Sequence, residues 1–119
     1  MDSEYRTLKP EERGLIEKLL EEDFPGRNEL RKQLDSVTAR QLDDDGNLTL
    51  RVAGGPPAPV RWRVPTEGWC NDTDGMEIQV LLHVVDGMMK ELEIYKLDGS
   101  KVLRSPKPED MGLFQPGPI

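Results

Sequence analysis

The sequence predicts an α+β fold, with two N-terminal helices packed on one face of a roughly five-stranded antiparallel sheet. Three observations carry that expectation. Leu15, Ile16, Leu19 and Leu20 form one apolar stripe at helical spacing. From Val37 onward the apolar period changes to two. Asp-Gly steps at Asp45-Gly46, Asp86-Gly87 and Asp98-Gly99 then separate the alternating runs, as hairpin turns do.

The first helix is expected to begin at Pro10, because the first helical position needs no N–H. Glu11 and Glu12 follow in the first turn, where the helix dipole favours negative charge. Gly14 is out of place in a helix interior, at about 1 kcal/mol against Ala, and suggests close packing. Phe24-Pro25-Gly26 should end the helix. A shorter helix then runs from Arg27 to Leu34, its Leu30 and Leu34 facing the same core.

Val37–Leu42 and Asn47–Val52 read as a hairpin around Gly46, and Ala53–Pro59 as a Gly/Pro loop. Val60–Val64 reads as a strand with Val60, Trp62 and Val64 on one face, and Pro65–Asp74 as a longer loop. Ile78, Val80, Leu82 and Val84 alternate cleanly, as do Leu92 and Ile94. A plain two-residue turn at Asp86-Gly87 would set Leu82 opposite Glu91 and place charge on the core face. A three-residue loop, Val85-Asp86-Gly87, avoids this and pairs Val80 with Leu92 and Ile78 with Ile94. Lys101–Arg104 would add a last short strand. The domain is expected to span residues 1–104, followed by an irregular Pro-rich tail over 105–119 with Pro106, Pro108, Pro116 and Pro118.

The 119 residues are 35% hydrophobic and 33% charged, with a net charge of −7. That balance argues against nucleic acid, whose affinity is dominated by Lys and Arg on phosphates. No apolar run approaches the roughly 20 residues of a membrane helix, and Met1 opens no charged-then-apolar leader. Cys70 is the single cysteine, which excludes an internal disulfide and suits a reducing compartment, so a cytoplasmic location is expected.

Candidate chemistry is sparse. Asp43-Asp44-Asp45-Gly46-Asn47 resembles a calcium loop, but its sixth position is Leu48 and its twelfth is Gly54, so a turn is the better reading. No Ser lies in a nucleophile elbow and no Gly-rich loop opens a helix. The single histidine, His83, falls on the outer sheet face with Gln79, Glu91, Glu93 and Tyr95. A His beside two carboxylates is the minimum for acid–base work or a metal; a solvated strand face is the plainer reading.

The strings Arg6-x-Leu8-x-Pro10-Glu11-Glu12, Leu15-Ile16, Leu19-Leu20, Gly46-Asn47-Leu48, Asp74-Gly75, Leu82-His83-Val84, Glu91-Leu92-Glu93-Ile94-Tyr95-Lys96 and Asp98-Gly99 recur together here. In these the chain resembles, over about residues 5–104, a family of small proteins of unknown function best known from bacteria. The resemblance implies no activity, but it points to His83 and the Glu91–Tyr95 strand. The expectation is a non-enzymatic protein-interaction module, a monomer or weak dimer, in the manner of an acidic inhibitor or immunity protein with a basic protein partner. Its contact residues would be Gln79, His83, Glu91, Glu93 and Tyr95, with no cofactor. The alternative is a small enzyme or a ligand- or metal-binding domain using the His83 face.

Overall fold

The structure, a computed structural model, describes residues 5–114. Pro116 and Pro118 of the expected tail lie outside them. The elements run β1 (Arg6–Thr7), α1 (Pro10–Leu19), α2 (Arg27–Gln33), β2 (Val37–Gln41), β3 (Leu48–Val52), β4 (Glu67–Asn71), β5 (Glu77–Val85), β6 (Met88–Lys96), a single 3₁₀ turn (Pro108–Asp110) and β7 (Gly112–Phe114). The fold is α+β, and the sheet has seven strands in the order β1-β2-β3-β6-β5-β4-β7, all pairs antiparallel. No described helix is long and apolar enough to cross a membrane.

Leu15, Ile16, Leu19, Leu20, Leu30 and Leu34 are buried in one cluster with Ile78, Val80, Leu82, Leu92 and Ile94 of the sheet. The helix ends are tied to each other. Arg13 of α1 donates to the Leu34 carbonyl (3.1 Å), and Arg31 of α2 donates to the Leu20 carbonyl (3.1 Å). Each thus satisfies a carbonyl that a helix C-terminus leaves open. At the N-terminus of α1, the Lys9 N–H donates to Glu12 (2.8 Å), and Arg6 of β1 forks onto the same carboxylate (2.8 and 2.9 Å). Gly14 is explained by the tail: a Cβ there would lie 3.1 Å from Pro108 Cγ.

Six expectations are corrected. The sheet has seven strands rather than about five, because β1 and β7 add its two edges. Val60–Val64 is not a strand: flanked by Pro59 and Pro65, its one backbone bond to the sheet is the Val84 N–H donating to the Arg63 carbonyl (2.7 Å). Conversely β4 lies in the stretch expected to be loop. Its inward positions are small because they must be; a Cβ at Gly68 would lie 3.1 Å from both Leu19 Cδ2 and Met111 Cε. Lys101–Arg104 forms no strand, since the Leu103 and Arg104 N–H groups donate to the Asp72 carboxylate (2.7 and 3.0 Å) instead of to a neighbouring strand. The tail is not wholly irregular: the 3₁₀ turn puts Met111 into the core, and β7 then pairs with β4.

The β5–β6 register is the sixth correction. Asp86 (φ 53°) and Gly87 (φ 79°) make a two-residue turn that pairs Val85 with Met88. A bulge follows, in which Lys90 is the extra residue, so Leu82 faces Leu92 and Val80 faces Ile94. The apolar residues share a face as expected, but through a bulge within the strand rather than a longer loop, and two positions away from the expected pairing.

Candidate functional site

The sheet face opposite the core carries the chain's remaining chemistry. Cross-strand pairing arranges it in rows: Thr49, Glu91 and His83; then Glu93, Leu81, Glu67 and Phe114; then Tyr95, Gln79, Trp69 and Gly112. Alternation in β5 and β6 therefore does bring Gln79, His83, Glu91, Glu93 and Tyr95 onto one face. Gln79 is buried at 7% exposure, hydrogen-bonded to Glu77 through its side chain.

His83 is held from both sides. Its Nε2 lies 2.8 Å from Glu93 Oε1, and Arg63 Nε donates to its Nδ1 at 2.9 Å. A guanidinium can only donate, so Nδ1 supplies a lone pair and the ring hydrogen sits on Nε2, facing Glu93. Arg63 reaches this place because the irregular segment before β4 continues alongside the end of β5.

His83, Glu91 and Glu93 place ligand atoms within 4.8 Å of one another, close enough to share a cation. The Arg63 contact opposes this. A metal on Nε2 needs the ring hydrogen on Nδ1, which Arg63 occupies as a donor, and it would bring a second positive charge against the guanidinium. Cys70 points into the core, opposite Ile78, and burial pushes its thiol up, away from the reactive thiolate.

Sequence reasoning missed Arg63, Glu67, Trp69 and Phe114. Glu67 and Trp69 were hidden because small inward partners in β4 erase the apolar alternation. The Glu67 and Glu91 side chains form no hydrogen bond or ion pair among the described residues. Burial pushes the Glu67 carboxyl up, with the His83 ring opposing. Tyr95 is pushed up by burial and then by the negative charge of Glu93, Glu67 and Glu77.

Aromatic placement is the most unusual feature. The chain has two Trp, two Tyr and two Phe, yet only Phe24 of these six enters the core. Trp62, Trp69, Tyr95 and Phe114 are exposed, and half-buried Tyr5 stacks under Arg51 (3.9 Å) and Arg40 (5.3 Å). The Trp69 indole lies directly over Gly112, where a Cβ would stand 2.5 Å from Nε1. Gly112→Ala is therefore expected to push the indole outward while leaving the backbone unstrained. A shift in tryptophan emission, read in a Trp62→Phe background, checks this; unchanged emission would show that the ring is not seated there.

A family model described as Domain of unknown function (DUF6984) matches residues 5–106, and the chain belongs to that family. No curated protein and no solved structure matches it.

Proposed function

We propose that this member of the family is a protein-interaction module that docks its partner on the outer sheet face, around Trp69, Tyr95, His83 and Glu93. The observation that carries the reading is the pair of exposed aromatics, Trp69 and Tyr95, set on either side of Gln79 on one sheet face. Large aromatics cost folding free energy when left in water, and Trp and Tyr are the residues that anchor protein interfaces. The polar residues between them suit a wet interface of modest area. An acidic inhibitor of a basic protein is the form this reading takes.

The test compares wild type with Trp69→Ala/Tyr95→Ala as baits in a native lysate, followed by affinity measurement on the protein that wild type retains. Loss of two anchors should weaken binding by about 30-fold or more. Equal capture by both baits, or cross-links that map to α1 and α2, would overturn the reading. The 4.8 Å His83–Glu91–Glu93 cluster favours a second reading, a divalent cation site. Zinc titration of the imidazole signals decides it, since tight binding must also release Arg63.

A further inference from the structure

We infer that the partner presents a basic segment, and that two of its cationic side chains occupy twin carboxylate–aromatic seats, Glu93 with Tyr95 on β6 and Glu67 with Trp69 on β4. This rests on the outer-face reading and names the chemistry that the face would recognise.

The seats arise from the same local pattern used twice. In each, a carboxylate and an aromatic stand two positions apart on one strand, hence on one face. Leu81 separates the two carboxylates and Gln79 separates the two aromatics, because β5 runs between β4 and β6. Two strand spacings put the seats about 10 Å apart. Residues two and four positions apart on one side of an extended segment lie about 7 and 13 Å apart, so long Lys or Arg side chains from such pairs reach both.

Charge selects the occupant. Glu67, Glu77 and Glu93 stand around the two seats, whereas the Arg63 Nε is spent on His83, and Arg40 and Arg51 lie on the β2 and β3 part of the face against the Tyr5 ring. Glu67 is half-buried with no side-chain partner among the described residues, a cost that an incoming cation relieves, while Glu93 already holds His83 through one oxygen and keeps the other for the cation. The upward shift of Glu67 reports the same strain. Tyr95 and Trp69, exposed at 39% and 41%, offer ring faces for cation–π contact beside each carboxylate. A nucleic acid phosphate would meet carboxylates at both seats and be repelled there. A second copy of the chain is the weaker occupant, because Arg40 at the opposite end of this face is already stacked on Tyr5.

The experiment titrates the full chain, isotope-labelled, with hexa-arginine and hexa-lysine peptides at low salt, with hexa-glutamate as control. Both basic peptides should shift the Trp69 indole and Tyr95 signals, and binding should weaken as salt rises. Glu67→Gln/Glu93→Gln should weaken it by about tenfold or more. Asp44→Asn/Glu21→Gln, which removes the same charge from exposed sites elsewhere, should change it less than twofold; circular dichroism confirms that both variants fold. Equal weakening by the two variants, shifts that map elsewhere, hexa-glutamate binding, or signals that follow only protein concentration would each overturn the proposal. If Glu67→Gln/Glu93→Gln leaves peptide binding intact while Trp69→Ala/Tyr95→Ala still loses the lysate partner, the basic segment falls and the docking face stands.

Discussion

Leu82→Ala is expected to destabilise the protein by about 2–5 kcal/mol, the range for deleting a fully buried leucine from a packed core. Leu82 is 0% exposed and sits mid-strand opposite Leu92. It packs within the cluster that also holds Ile16, Leu19 and Leu30 of the helices. Against a total stability on the order of 5–15 kcal/mol, this is a large fraction. Urea denaturation checks it, with the midpoint falling and the slope unchanged. The neighbouring Leu81→Ala provides the contrast. Leu81 lies half-buried on the outer face, and its truncation should cost less than about 1 kcal/mol. Equal costs at the two positions would mean that the strand does not present the faces described.

Asp72→Ala is expected to be the most damaging change of a charged residue, lowering the melting temperature on the order of 10 °C or more. The Asp72 side chain is fully buried and accepts from Leu103 N (2.7 Å), Arg104 N (3.0 Å) and Thr73 N (2.7 Å), with Lys96 Nζ at 3.1 Å. Lys96 is itself buried at 2% exposure and also donates to Asp74 at 2.7 Å. Removing the carboxylate strands three peptide donors at once and leaves the buried Lys96 ammonium with Asp74 alone. The segment after β6 would lose its anchor.

The same site governs acid stability. Burial by itself would push the Asp72 carboxyl up; the Leu103 and Thr73 N–H groups and Lys96 outweigh it and hold it down at about 2. The native state thus keeps the carboxylate ionised where the unfolded chain, near 3.9, has begun to protonate. Its stabilising contribution is full above about pH 4 and is lost as pH falls toward 2. Lys96 is shifted up by Asp74 against the cost of burial, so its contribution is full below the unfolded lysine value and fades only as pH rises beyond it. Asp72→Asn should flatten the wild-type decline between pH 4 and 2 in thermal melts. An unchanged acid limb would show that other carboxylates carry it.

Much of the fold was legible because it depends on local pattern. Pro10 and the Leu15–Leu20 stripe mark α1, and Gly46, at φ 102°, turns β2 into β3. The outer-face set was legible too, since period two forces Glu91, Glu93 and Tyr95 to one side whatever the exact pairing. The pairing itself was not. A turn plus a bulge and a longer loop both keep Leu82 inward, and only packing of the sheet against its neighbours chooses between them.

The sequence by itself determined the class of the fold and the face that the residues of β5 and the Glu91–Tyr95 part of β6 present. Those follow from periodicity and turn chemistry, which act within a few residues. Tertiary structure alone decided that β4 is a strand, that Asp72 rather than a further strand satisfies residues 103 and 104, and that Arg63, Glu67 and Trp69 join His83. These depend on partners far apart in the chain, such as Gly68 beneath Leu19 and Met111, Asp72 beside Leu103, and Arg63 across from His83. Small or polar residues carry such contacts, and no hydrophobic pattern announces them.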